Sequence, residues 1–218
     1  RRHCHDSRGP ARTARHATTR SAVTARFVLA TANTDKVKEI RDVLAWTDIE
    51  LLERPAHVAD VDETEDTLEG NALLKARALV DATGNAAIAD DTGLFVDALN
   101  GQPGVFSARY SGENATYATN VARLLDELLD VEATSRGAHF RTVIAVAYPD
   151  DTSFCVEGVL DGTITTQAEG ENGFGYDPIF RPTEGDGRTL AQMTASEKNE
   201  VSHRSRALRS LLAALAEQ

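Results

Sequence analysis

Cysteine is scarce in this 218-residue chain: Cys4 and Cys155 are the only two. Two distant thiols cannot build a disulfide framework or a Cys-rich zinc site, so a reducing, cytoplasmic compartment is expected. No apolar run approaches the ~18 residues needed to cross a bilayer, so no membrane partner is expected. Basic residues are outnumbered, with 23 Lys+Arg against 34 Asp+Glu and a net charge of −11. That balance argues against wholesale binding of a nucleic-acid backbone, which requires a basic face. The P-loop pattern G-x-x-x-x-G-K-[ST] is also absent. What remains is 41% hydrophobic and 26% charged, a globular composition at a length that suits one domain.

Charge is unevenly spread. Residues 1–25 hold six Arg and a single acid, Asp6, and the rest of the chain carries a net charge of −16. The first segment has no apolar core of the kind a secretory signal needs. It is expected to be a disordered or spurious extension, leaving 26–218 as the folded domain.

Periodicity predicts a mixture of strands and helices. Arg26–Thr31 and Ile49–Leu52 are short strand candidates, and Val37, Ile40 and Leu44 fall at helical spacing between them. Leu68 to Val80 reads as a helix with Leu68, Ala72, Ala76 and Leu79 on one face and Gly84 as its stop. Ala86–Ala89 reads as a buried strand ending in Asp90-Asp91. Thr116 can cap a helix carrying Val121, Leu124, Leu125 and Leu128. Phe140–Tyr148 and Thr152–Val156 read as a hairpin joined by Pro149-Asp150-Asp151. Gly170–Phe180 is a glycine-rich loop, and Ser202 can cap a last helix. The mixture predicts α/β or α+β architecture with a mixed sheet.

Four places can carry chemistry. Thr31-Ala32-Asn33-Thr34-Asp35-Lys36 runs from a strand into a helix start, where free N–H groups and a lysine suit phosphate, although such a turn is also common without a ligand. Asp60, Asp62, Glu63, Glu65 and Asp66 form an acidic run, and Asp90-Asp91 follow an apolar strand. Cations that serve phosphates take one or two carboxylates plus substrate oxygens, and Asp91 is the stronger candidate. Phe174, between Gly173 and Gly175, either stacks on a flat ligand or plugs the core. Lys198 with His203 and Arg204 near a helix start forms an anion or carbonyl site, or a surface of mixed charge.

Together and in this order, LATANTDKVKEI (29–40), ETEDTLEGNALLKARAL (63–79), AIADDTGLFVDALNGQPGVFSARYSG (87–112), GFGYDPIF (173–180) and EKNEVSHRSRAL (197–208) resemble the inosine triphosphate pyrophosphatase family. The resemblance implies an elongated mixed β-sheet with helices, two lobes around a central cleft, and a homodimer. It implies Mg²⁺-dependent cleavage of ITP, dITP or XTP to the monophosphate and pyrophosphate. Thr31, Ala32, Asn33, Thr34, Asp35 and Lys36 would then wrap the triphosphate. Glu63 and Asp91 would hold Mg²⁺, with Asp91 also the general base. Thr92, Phe174, Gly175, Tyr176, Asp177, Lys198, His203 and Arg204 would contact substrate. A donor such as Arg204 would suit a 6-keto oxygen and meet a 6-amino group unfavourably.

The sequence departs from the family's T-G-N-x-G-K and E-T-G-x-T-F-x-E-N-A patterns. Ala32 and Asp35 replace two glycines, Glu65 stands for glycine, and Gly70 stands for glutamate. Asp35 is expected to weaken triphosphate binding. Gly70 is expected to cost ~1 kcal/mol inside a helix. Two other functions compete: a nucleotide sensor that has lost catalysis, against which the retained Glu63 and Asp91 count, and a pyrophosphatase for modified pyrimidine or methylated nucleotides.

Overall fold

The computed structural model describes residues 25–217. The expectation for residues 1–24 lies outside them, and Ala25 already belongs to the first strand. The elements are β1 (Ala25–Leu29), α1 (Thr34–Leu44), β2 (Ile49–Leu52), α2 (Leu68–Thr83), β3 (Ala87–Val96), β4 (Pro103–Gly104), α3 (Tyr117–Glu127), β5 (Gly137–Ala147), β6 (Ser153–Ile164), β7 (Phe180–Pro182), α4 (Ala195–Val201) and α5 (His203–Ala216). One seven-stranded sheet runs β2-β1-β3-β5-β6-β7, with β4 paired to β3. β1 is parallel to β2 and β3, and the remaining pairs are antiparallel. The mixed α/β class expected from the sequence is the one observed. Among the described residues no helix is long and apolar enough to cross a membrane.

Helix ends follow local chemistry. Thr67 caps α2 through the Gly70 N–H, and Gly84 closes it in the left-handed region at φ +66°. Thr116 and Thr119 form a capping box on α3, and Ser202 caps α5 through the Ser205 N–H. Asp151 turns the β5–β6 hairpin at φ +67°, and the Asp150 side chain accepts the Thr152 N–H.

The long strands carry two lobes. β5 and β6, 11 and 12 residues long, each span about 35–40 Å at the usual rise per residue. One end of the sheet packs Ala72, Ala76 and Leu79 of α2 on one face. The same end packs Ile40 and Leu44 of α1 with Leu208 and Leu211 of α5 on the other. The far ends of β3, β5 and β6 pack with Leu124 of α3 and Phe180 of β7. β3 contributes Ala87 and Ala89 to the first lobe and Leu94 and Val96 to the second. The polar residues Asp90, Asp91 and Thr92 therefore fall where the lobes meet.

This corrects the expected end of β3. The strand does not end in Asp90-Asp91 but continues to Val96, because β5 pairs with its backbone throughout. β6 likewise extends well past Val156. Its later residues alternate between buried and exposed, so Asp161 and Thr163 face outward without breaking the strand. Gly158 of β6 admits α5 closely: a Cβ there would collide with His203 O and Ala207 N. That approach seats the first turn of α5 against the sheet.

Candidate active site

The lobe junction opens into a cleft. Its walls include Lys36, Glu63, Asp91, Phe174, His203 and Arg204, and Asn33, Thr92, Gly175, Tyr176, Asp177 and Lys198 also border it. Residues expected from five separate sequence segments thus meet at one place. Thr31, Ala32, Thr34 and Asp35 do not line this cleft. Thr31 and Ala32 border a neighbouring depression beside Arg54, and Asp35 borders another beside α4.

The strand-to-helix turn is less open than its sequence suggests. Asn33 caps α1, and its Oδ1 accepts the N–H groups of Asp35 and Lys36. The Thr31 hydroxyl accepts the Asn33 N–H at 3.2 Å. The amides of Asp35 and Lys36 expected to be free for phosphate are therefore taken, and the lysine supplies the charge. Lys36 Nζ lies 3.1 Å from Asp90 Oδ2. Burial lowers the Lys36 pKa, and Asp90 opposes that only in part.

Two carboxylates converge on one cation. Lys75 Nζ lies 2.9 Å from Glu63 Oε1 and 2.8 Å from Asp91 Oδ1. Arg109 holds the other oxygen of Glu63 at 2.9 Å. Burial raises the Asp91 pKa, Lys75 opposes, and Glu63 adds to the rise. Burial acts the same way on Glu63, but Lys75 and Arg109 outweigh it and hold that carboxyl low. Asp91 Oδ2 is buried with no hydrogen-bond partner.

A second network lies behind Asp90. Arg204 is 2% exposed, and its Nε and Nη2 both donate to Asp90 Oδ2 at 3.2 Å. Nη1 donates to Glu39, and Nη2 also reaches the Thr92 hydroxyl at 3.2 Å. Burial pushes Asp90 up, but Lys36 and Arg204 outweigh it and hold the carboxylate far below its ordinary range. Glu39 bridges onward to Lys198 Nζ at 2.6 Å, and Lys198 also pairs with Asp177. Asp177 accepts the Phe174 N–H at 2.8 Å. A Cβ on Gly173 would strike that carboxylate, and Gly173 sits at φ +71°.

Phe174 is not a core plug. Its ring lies under Lys198 Nζ at 4.6 Å and beside the Arg204 guanidinium at 5.6 Å. Tyr176 is the residue that turns inward, donating its hydroxyl to Ser107 O at 2.9 Å. His203 stacks on Phe140, and its Nδ1 lies 2.6 Å from Thr142 Oγ1. Thr142 in turn lies 2.8 Å from Thr92 Oγ1. Arginine only donates, so Thr92 accepts from Arg204, and its own proton goes either to Thr142 or to Asp90 Oδ2 at 3.4 Å. The ring is neutral, because burial first and then Arg204 and Lys198 lower its pKa well below the usual value. Which ring nitrogen carries its proton follows the direction of the Thr142 hydrogen bond.

That neutral ring has a stability consequence. The unfolded chain protonates His203 below about pH 6.5, while the folded chain resists until far lower. Unfolding thus takes up a proton, and stability falls as the pH drops below 6.5. Melting temperatures of the wild type and His203→Gln between pH 7.5 and 5 should diverge, the variant losing less on acidification. Parallel curves would show that His203 does not titrate in this window.

Gly70 lies in the first turn of α2, not its interior, and it does not line the cleft. A glutamate there, as in the family pattern, would complete a capping box with Thr67. Here a Cβ at position 70 would meet Glu65 Cβ at 2.7 Å. The two departures are therefore one exchange: the side chain at 65 fills the space vacated at 70. Gly70→Glu alone should cost about 1–3 kcal/mol by overpacking, with kcat unchanged. Adding Glu65→Gly should return most of that loss. Denaturant unfolding of both variants checks this, and additive costs would deny the exchange. With position 70 outside the cleft, Gly70 gives no support to a sensor that has lost catalysis.

Sequence reasoning missed Glu39, Lys75, Arg109, Tyr117 and Thr142. Lys75 carried a signal, lying three residues after Ala72 and four before Leu79 on the apolar face of α2. The others carried none, since their roles depend on segments distant in the chain.

Comparison with known proteins places the chain among its relatives. Residues 27–214 match the Ham1 family. A dITP/XTP pyrophosphatase of Streptomyces coelicolor is 48% identical over 191 residues, covering 86% of this chain and 95% of the relative. The dITP/XTP pyrophosphatase of Bacillus subtilis is 42% identical over 186 residues, covering 84% and 93%. A HAM1 protein structure from Coxiella burnetii superposes with a TM-score of 0.81 at 40% identity, covering 89% of this chain and all of that one. A nucleoside-triphosphatase, dITP/XTP pyrophosphatase, from Mycobacterium abscessus gives 0.69 at 45% identity, covering 86% and 98%. With its motifs gathered at one cleft and relatives alike over nearly their whole length, the chain belongs to the Ham1 family.

Proposed function

We propose that this protein is a Mg²⁺-dependent pyrophosphohydrolase that cleaves dITP, ITP and XTP to the nucleoside monophosphate and pyrophosphate. The observation that carries the reading is the buried, unpartnered Asp91 oxygen beside the Glu63–Lys75–Asp91 triad, in a cleft lined by Lys36, Lys198, Arg204 and the Phe174 ring. It is supported by the relatives in Streptomyces coelicolor and Bacillus subtilis, which are named dITP/XTP pyrophosphatases.

The donor set fits a magnesium ion. Two carboxylates already converge on one ammonium, and such ions complete their shell with substrate oxygens and water. Glu63 and Asp91 would hold it. When bound, the ion neutralises phosphate charge and acidifies water.

The chain's own groups do the rest. Phosphoanhydride cleavage asks mainly for positioning and charge neutralisation. Lys36 is the cation on the strand-to-helix turn and faces the phosphates. Lys75 sets the spacing of Glu63 and Asp91. Asp91, with its raised pKa, accepts the proton of the attacking water. Phe174 stacks on the base. With its proton on Nε2, neutral His203 would offer a donor to a 6-keto oxygen, while a 6-amino group would set donor against donor. Homodimer assembly and a cytoplasmic setting belong to the same reading.

A substrate panel tests it. With Mg²⁺, the expected order places dITP, ITP and XTP above ATP, with no turnover of modified pyrimidine triphosphates. Preference for a pyrimidine or methylated nucleotide would replace the base assignment while leaving the phosphate chemistry.

A further inference from the structure

The α3 helix begins with Tyr117, whose hydroxyl reaches across the cleft to the strand-to-helix turn. It donates to Asp35 Oδ2 at 3.1 Å and accepts from Asn33 Nδ2 at 3.0 Å. The same ring lies 5.7 Å from the Phe174 ring, tilted by 41°. Tyr117 is 43% exposed yet borders the cleft, so one side chain touches two segments that surround the substrate.

Its partner explains why the contact matters. Asp35 stands where the family pattern has glycine, one residue from Lys36, and its charge opposes a polyanionic ligand. In this structure Asp35 borders the neighbouring depression and not the cleft. The Tyr117 hydroxyl is what its carboxylate bonds. Burial and the nearby Asp35 raise the tyrosine pKa, so the hydroxyl stays a donor at neutral pH.

We propose that Tyr117 and Asp35 form a clasp across the mouth of the cleft, and that Tyr117 is thereby a positioning residue for the triphosphate. The hydroxyl holds the Asp35 carboxylate away from the phosphates and fixes Asn33, the cap of α1. The added acid and the tyrosine act as a pair: the hydroxyl is needed because the carboxylate is there. The inference rests on the nucleotide triphosphate reading of the site.

A double-mutant cycle tests it. Tyr117→Phe keeps the ring and removes the hydroxyl. KM for dITP should rise about tenfold, the size of one hydrogen bond to a charged group, with kcat within about twofold. In an Asp35→Ala background the same change should move KM by less than about twofold. Inorganic tripolyphosphate, which has no base, should lose affinity in parallel when its binding to each variant is measured by calorimetry. An unchanged KM in Tyr117→Phe would overturn the clasp. So would a rise that persists undiminished in the Asp35→Ala background, or one seen with dITP and absent with tripolyphosphate, which would put the hydroxyl at the base end. A wild type that binds tripolyphosphate but leaves dITP intact would instead refute the function, while the calorimetric cycle would still judge the clasp.

Discussion

Replacing Asp91 with asparagine is expected to lower turnover of dITP by about 10²–10⁴-fold, the usual cost of losing a general base. The amide has nearly the same shape, so it can sit in the β3 position opposite Val143 without disturbing the strand. It can still accept a hydrogen bond from Lys75, which lies 2.8 Å from the present Oδ1. It cannot take a proton from water, and it is a poor ligand for a hard cation. The folded state should therefore persist while the chemistry fails. Steady-state rates, with an unfolding curve on the same sample, check both halves. A variant retaining more than about a tenth of wild-type turnover would remove Asp91 from the role of base.

Arg204→Ala should produce the largest loss of stability, about 3–5 kcal/mol by denaturant unfolding. The guanidinium is 2% exposed, and its Nε, Nη1 and Nη2 are all engaged by Asp90, Glu39 and Thr92. Truncation leaves the buried Asp90 with Lys36 as its remaining ion-pair partner, and Glu39 with Lys198. Adding Asp90→Asn removes the stranded charge and should return part of the loss. Base choice should respond little. Because the guanidinium is held by protein groups, kcat/KM for ITP and for ATP should fall together, leaving discrimination to His203. A fall confined to ITP would put Arg204 on the 6-keto edge, as the family resemblance implies.

The fold and the site were legible in the sequence to different depths. Helix ends could be read well, because caps such as Thr116, Ser202 and Gly84 act within a few residues. The ends of β3 could not. Asp90 and Asp91 read as the close of an apolar strand, yet their side chains are compensated by Lys36, Lys75 and Arg204 from three different helices. Local pattern carries no trace of such partners. The same limit applies to Glu39 and Thr142, which matter because α1 and β5 place them beside Arg204 and His203. Lys75 was legible in principle, since a lysine on the apolar face of α2 needs a buried anion. The exchange between Glu65 and Gly70 was visible as two separate departures, and only the contact between them shows that they compensate.

The most direct test of the account is the phosphorus product of wild-type turnover. Incubation of dITP with Mg²⁺, followed by phosphorus NMR, should show one pyrophosphate formed for each dIMP and no orthophosphate. Release of orthophosphate with dIDP, or intact dITP after prolonged incubation, would contradict it.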